Sequence, residues 1–365
     1  MDHNETSADA RRATGWHRLR VAKVERLTDA AVAITLDVPE RLADTFAHRA
    51  GQHLIIRHFL SGRELRRNYS ICLPPGARSG LRLVIKRLGA GGFAEYATTR
   101  LAADDVLEVA PPVGDFRLAD QPGAHHVLVA GGSGITPLLS MAVAGLRDDP
   151  QCRISLIYVN QTARSVLLAD ELADLKDAYL NRFFVLYVLS QETREAELLS
   201  GRVNSARLPK LLALLGAEPN DRGYFYLCGH WGLVEAVREA LAAWGADPAR
   251  VRLELFSASG EPQERTARDL QGRTGRITAH LGGRTTEATM EPEDRVILDA
   301  LLRAQPETPY SCRDGLCGTC RAKVISGVVK MDRQYALGEA ELAAGYALAC
   351  RARPESEQVG LDFDA

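Results

Sequence analysis

Val127-Leu128-Val129-Ala130-Gly131-Gly132-Ser133-Gly134-Ile135-Thr136-Pro137 runs from an apolar segment through a glycine turn into a helix start. Four apolar residues make a buried strand, the glycines turn the chain, and a helix follows from Thr136 to Leu146. Threonine suits a helix cap and proline the first helical turn. Gly131, Gly132 and Gly134 let backbone amides close on a phosphate, and the helix N-terminus offers a pyrophosphate its unpaired N–H groups. The spacing is not G-x-G-x-x-G, and a turn of this kind taken alone also serves tight packing. Its place at the first crossover of an alternating pattern favours the phosphate.

That pattern continues outward. Ile154–Val159 reads as strand, Val166–Leu180 as helix, Phe183–Leu189 and Tyr224–Cys228 as strands, Trp231–Trp244 as helix and Val251–Phe256 as a last strand. Strand–helix alternation predicts an α/β doubly wound parallel sheet over residues 120–257, with ligands at the strand C-termini. Cys228-Gly229 ends one such strand, so Cys228 is either a packed thiol or a group facing a ligand.

Upstream, residues 16–119 hold short alternating or apolar runs (Leu19–Val24, Ala31–Leu36, His53–Ile56, Leu81–Ile85) divided by Gly and Pro. They predict a small antiparallel β-barrel. Within them, Arg66-Arg67-Asn68-Tyr69-Ser70 places Arg67 and Tyr69 on one face of a strand. That pairs a phosphate-binding guanidinium with an aromatic ring, although a half-exposed strand needs no more explanation than its alternation. Residues 258–274, poor in large apolar side chains, read as a linker, and residues 1–15 as a disordered tail.

The C-terminal part, residues 275–365, is marked by its cysteines. Cys312, Cys317 and Cys320 form C-x4-C-x2-C, and Cys350 follows. This is the plant-type spacing for a 2Fe-2S cluster. Four-cysteine zinc sites usually pair two short knuckles, whereas here three thiols crowd one loop. Gly315 and Gly318 let amides approach the sulfurs. Cys72 and Cys152 read as packed thiols.

Composition narrows the field. The 365 residues are 46% hydrophobic and 25% charged with a net charge of -2, so nothing asks for a nucleic-acid partner. Seven cysteines cannot all pair within the chain. Met1–Thr14 lacks the apolar core of a secretory leader, and the run His126–Leu146 is broken by Gly131, Gly132, Gly134 and Pro137. A cytoplasmic protein with no membrane partner is expected. No Ser-His-Asp or metal-hydrolase constellation competes.

Together these segments resemble the ferredoxin–NADP reductase superfamily, in the form carrying a C-terminal plant-type ferredoxin domain of β-grasp (α+β) fold. Arg67-Asn68-Tyr69-Ser70 is similar to the family's R-x-Y-S flavin motif, Gly91-Gly92-Phe93 to its second flavin-phosphate motif, Gly131–Pro137 to its nicotinamide loop and Cys228-Gly229 to its C-G motif. Phe256 is similar to the aromatic residue after the last strand. The resemblance implies FAD on Arg67, Tyr69, Ser70, Gly91, Gly92 and Phe93, NADPH (or NADH) on Gly131, Gly132, Gly134, Thr136, Cys228 and Gly229, and a 2Fe-2S cluster on Cys312, Cys317, Cys320 and Cys350. Ser70, Thr136 and Cys228 would attend hydride transfer to the flavin, with single electrons passing on to the cluster. An oxygenase component, di-iron or similar, is the implied acceptor, with a steroid hydroxylase, fatty-acid desaturase or ring-hydroxylating oxygenase as alternatives.

Three residues depart from the family pattern: Ala94 stands where Ser or Thr is usual, His230 and Ala50 where proline is. Ala94 removes one hydroxyl from the flavin pyrophosphate. After the strand ending at Val159, Arg164 and Ser165 offer a 2′-phosphate a partner and no acidic residue stands in the loop, which favours NADPH. From Thr274 onward there are 11 Lys/Arg against 14 Asp/Glu. A mildly basic acceptor surface is therefore expected to steer onto this part, a reading that a salt-independent rate of acceptor reduction excludes.

Overall fold

The computed structural model describes residues 15–365 apart from 61, 74–75, 77–79, 90, 219–222, 258–274 and 332–333. The expected tail, but for Gly15, and the expected linker lie outside the described residues. Two compact units emerge, one holding His17–Leu65 and Tyr69–Ser259, the other taking in residues 275–365 and, from the strand Arg63–Ser70, Arg66–Asn68.

The first unit opens with β1 (His17–Thr28), β2 (Ala31–Asp37), β3 (His53–Leu60), β4 (Arg63–Ser70), β5 (Leu81–Lys86) and β6 (Val106–Val109). They form one sheet in the order β4-β3-β6-β1-β2-β5. Its edges meet: Ile71 bridges Leu83, and Cys72 N–H donates to the Arg82 carbonyl at 2.9 Å. The sheet therefore curls into the expected barrel around Leu19, Ile34, Leu54, Ile56, Leu83 and Ile85, all buried. A helix, Gly92–Thr99, which no sequence signal marks, packs Phe93 and Ala97 into this core.

The parallel sheet comprises β7 (His125–Gly131), β8 (Arg153–Asn160), β9 (Phe183–Leu189), β10 (Tyr224–His230) and β11 (Val251–Ser257) in the order β11-β10-β7-β8-β9. All its ladders are parallel. The order reverses between β7 and β10, so the crevice for ligands opens at the C-terminal ends of those two strands. Its core takes in Ala31, Ala33, Cys72 and Val84 of the barrel. Arg82 of β5 also meets Glu171 at 2.6 Å. Barrel and parallel sheet thus share one apolar interior.

Two expectations are corrected. The helix expected over Val166–Leu180 spans only Ala169–Ala178, because Leu168 sits at φ 58° and a short 3-10 turn, Ala163–Ser165, precedes it. Leu167 is held off the helix by Tyr158, whose hydroxyl accepts from its N–H at 3.2 Å. Thr136 does not cap its helix. Gly134 is the cap residue, and the Thr136 hydroxyl, one residue inside, donates to the Ser133 carbonyl at 3.0 Å.

The second unit contains β12 (Arg276–Leu281), β13 (Arg284–Thr289), β14 (Arg321–Ser326), β16 (Tyr346–Leu348) and β18 (Gln358–Asp362) in a mixed sheet ordered β13-β12-β18-β14-β16. β15 (Val329–Met331) and β17 (Ala352–Pro354) pair separately. The helix Ile297–Ala304 buries Ile297, Leu298, Ala300 and Leu301 in a core shared with Ile277, Ala322, Leu348 and Leu361. One helix grasped by a mixed sheet is the expected α+β module. Among the described residues no helix is long and apolar enough to cross a membrane.

Candidate functional site

β4 ends on the flavin candidates. Arg67 is exposed and Tyr69 half-buried on the same face, as alternation requires. The Tyr69 ring tilts against Phe93, centroids 5.8 Å apart, so the two segments suggested by the flavin resemblance meet in space. Gly91 and Gly92 precede Phe93 at φ 81° and 75°, left-handed conformations that favour glycine. They bring backbone N–H groups to the mouth of the helix Gly92–Thr99, where the Glu95 carboxylate accepts from Gly91 N–H. Ala94 supplies no hydroxyl there.

Ser70 is the most telling residue of this group. It is 3% exposed, and among the described residues its hydroxyl has no hydrogen-bond partner. A buried hydroxyl without a partner is destabilising unless a ligand completes it. A flavin ring with polar edge atoms fits that need. One hydrogen bond contributes about 0.5–1.5 kcal/mol, so Ser70→Ala is expected to slow flavin reduction by up to about tenfold in stopped-flow measurements. The flavin-free variant is expected to melt no earlier than the flavin-free parent, since the orphan group is gone.

The glycine loop and the end of β10 close on each other at the switch point. Cys228 pairs with Ala130 in register. A Cβ on Gly134 would lie 2.1 Å from the Cys228 carbonyl oxygen, and one on Gly131 2.5 Å from Leu233 Cδ2. These two glycines serve close packing of the loop, and only Gly132, at φ 51° beneath Lys86 Nζ, is open to a ligand cradle. Packing and phosphate readings of the loop therefore divide by residue. Thr136 is buried, and Phe256 is half-buried against the shared core.

Cys228 is fully buried, which pushes its thiol well above the ordinary range, with Glu254 adding to the rise. It is a neutral thiol at physiological pH. Glu254 faces it across the β10–β11 ladder. One Glu254 oxygen lies 3.6 Å from His53 Nδ1 of the barrel, and the other is buried without a hydrogen bond among the described residues. Burial pushes the Lys86 ammonium below its usual range. Sequence reasoning does not find Glu254, His53 or Lys86. Nothing in their local spacing marks them, because β3, β5 and β11 converge here only through the shared core.

The loop after β8 differs from expectation. Ser165 is not free for a phosphate: its hydroxyl donates to Thr162 O at 2.7 Å and accepts from Thr162 N at 3.1 Å. Arg164 is exposed. Although no acidic residue stands in the loop itself, the Glu192 carboxylate reaches it from the segment after β9 and accepts from Ala163 N–H at 3.1 Å.

In the second unit, Arg313, Gly315 and Gly318 take φ of 61°, 72° and 68°, which coils the cysteine loop tightly. The N–H groups of Asp314 and Leu316 point at Cys312 Sγ at 3.4 Å, and that of Cys350 at Cys320 Sγ at 3.4 Å. Hydrogen bonds from Cys317 and Cys350 hold the Cys312 thiol far below its ordinary range. Cys350 in turn neighbours Cys320. Among the described residues no three His, Cys, Asp or Glu side chains converge as ligands of a single ion do. The four thiols are mutual neighbours, and backbone N–H groups point at two of them, a set that fits a sulfur-bridged iron cluster. Cys72 and Cys152 are buried, their thiols pushed up to about 12 and about 11 by burial.

Comparison with known proteins agrees with this geometry. Residues 18–118 match the oxidoreductase FAD-binding domain, residues 128–239 the oxidoreductase NAD-binding domain, and residues 279–355 the 2Fe-2S iron-sulfur cluster binding domain. The chain is 38% identical over 357 residues to one component of the 1,2-phenylacetyl-CoA epoxidase of Escherichia coli (strain K12), covering 96% of this chain and 99% of that one. It is 30% identical over 358 residues to the ferredoxin reductase component of 3-ketosteroid-9-alpha-monooxygenase from Rhodococcus rhodochrous, covering 94% and 96%. In fold it is similar to phthalate dioxygenase reductase, with a TM-score of 0.62 at 24% identity over 96% of this chain and 98% of that one.

Proposed function

Because the chain belongs to the ferredoxin–NADP reductase superfamily, in the form with a C-terminal 2Fe-2S domain, we propose that it is the reductase component of a phenylacetyl-CoA 1,2-epoxidase. The observation that carries this reading is the identity of 38% to the Escherichia coli epoxidase component across 99% of its length, against 30% for the steroid monooxygenase component. The domain limits that go with it are 16–119 for flavin, 120–257 for nucleotide and 275–365 for the cluster.

When bound, FAD takes a hydride from NAD(P)H and the 2Fe-2S cluster takes electrons singly, which is chemistry the cofactors supply. The chain's own residues bind and orient. Arg67 and the N–H groups at Gly92 and Phe93 hold the flavin pyrophosphate, and Tyr69 and Ser70 meet its ring. Gly132 and Thr136 line the nicotinamide end of the crevice. Cys228 gives it an uncharged, water-free floor, and Glu254 stands beside that floor. Arg164 attracts a 2′-phosphate and so favours NADPH. Cys312, Cys317, Cys320 and Cys350 are the cluster ligands.

Reconstitution tests the acceptor. The holoenzyme is expected to support NADPH-dependent epoxidation of phenylacetyl-CoA by a di-iron epoxidase component, with NADPH consumed in step with product. If it instead couples to a 3-ketosteroid hydroxylase, a desaturase or a ring-hydroxylating oxygenase and leaves the epoxidase idle, the epoxidase assignment is wrong.

A further inference from the structure

The β8–β9 ladder continues past the strand ends, and this fixes a carboxylate where the loop sequence offers none. Ser190 N–H donates to Asn160 O and Gln191 N–H to Gln161 O, each at 2.8 Å. The next residue, Glu192, therefore lies directly over the loop 160–165, and its carboxylate accepts from Ala163 N–H at 3.1 Å. Arg164 follows Ala163 immediately, exposed and with no hydrogen bond or ion pair among the described residues. Ser165 is closed into its own turn with Thr162. The charged side chains offered at this loop are thus one guanidinium and one carboxylate.

Those two groups make opposite demands on the adenosine ribose. A carboxylate accepts hydrogen bonds from a free 2′,3′-diol and repels a 2′-phosphate, while a guanidinium attracts the phosphate. We infer that Glu192 is a specificity-determining residue for the nicotinamide nucleotide: it receives the ribose diol of NADH, limits the preference for NADPH that Arg164 confers, and leaves the chain able to use both. The inference rests on the proposal that the loop after β8 receives the adenosine half.

The test compares the holoenzyme with its Glu192→Gln and Arg164→Ala variants. It reads kcat/KM for NADPH and NADH, together with calorimetric binding of 2′,5′-ADP and 5′-AMP. Hydrogen bonds to charged groups are the stronger kind, so Glu192→Gln is expected to raise the NADPH/NADH ratio about fivefold or more and to tighten 2′,5′-ADP. Arg164→Ala is expected to lower the ratio and weaken 2′,5′-ADP. If Arg164→Ala shifts the ratio while Glu192→Gln leaves it within about twofold, or lowers it, Glu192 is not the determinant although the loop is the site. If neither variant moves the ratio or the binding of 2′,5′-ADP, the loop reading fails as well.

Discussion

Cys317→Ala is expected to separate the two halves of the electron path. Flavin reduction by NADPH, followed with a dye that takes electrons directly from the flavin, is expected to stay near the parent rate. The flavin candidates, Arg67, Tyr69, Ser70 and Gly91–Phe93, are carried by β4 and by the start of the helix Gly92–Thr99. Delivery to the oxygenase is expected to fall at least about 100-fold, the upper end of what losing even a group that supports a ligand costs. The variant's visible and electron paramagnetic resonance spectra check the cause, since the cluster signature is expected to vanish while flavin absorbance persists. Thr319 Oγ1, 3.1 Å from Cys317 Sγ, is a poor substitute because a hydroxyl is a harder, less acidic donor than a thiol. A variant that still delivers electrons at the parent rate is incompatible with Cys317 as a ligand.

The second large effect is expected at Gly134. A methyl group there meets the Cys228 carbonyl carbon at 2.5 Å and the Gly229 nitrogen at 2.9 Å, besides the oxygen at 2.1 Å. All three are backbone atoms, so the glycine loop and the end of β10 must part. Overpacking of this kind costs about 1–3 kcal/mol. Borne wholly by nucleotide binding, that is about 5–150-fold in affinity. Gly134→Ala is therefore expected to raise KM for NADPH and lower the melting temperature together. Gly132→Ala offers the contrast. Its added methyl meets only the end of the flexible Lys86 side chain, at 3.3 Å, leaving the strain of φ 51° as the main penalty. Steady-state kinetics and thermal unfolding of the pair are expected to rank Gly134→Ala as the worse.

How much of this is legible in the sequence follows from what each signal depends on. Val127–Ala130 and Phe183–Leu189 announce themselves because a strand buried on both faces is a continuous apolar run. The cluster loop is legible because its ligands are close in the chain and their spacing is set by the cluster. Thr136 has the chemistry of a cap but not the place of one, since the backbone turns helical as soon as Gly134 has passed Cys228. The helix Gly92–Thr99 escapes notice because it spans only eight residues and opens on two glycines, Gly91 as its cap and Gly92 as its first residue. Glu254, His53 and Glu192 are illegible for a different reason. Each matters through a residue far along the chain, Cys228, Glu254 and Ala163 respectively, and no local period carries such pairings. The division of the glycine loop is of the same kind, since Gly134 answers to β10 rather than to a phosphate.

One chain thus carries electrons from a nicotinamide nucleotide through flavin to an iron-sulfur cluster. The decisive measurement is an anaerobic titration of the intact holoenzyme with NADPH, followed by visible absorbance and electron paramagnetic resonance. Bleaching of the flavin with simultaneous growth of a reduced 2Fe-2S signal is expected, the protein taking up more electrons than its flavin alone can hold. Complete bleaching of the flavin with the cluster left oxidised would contradict this path.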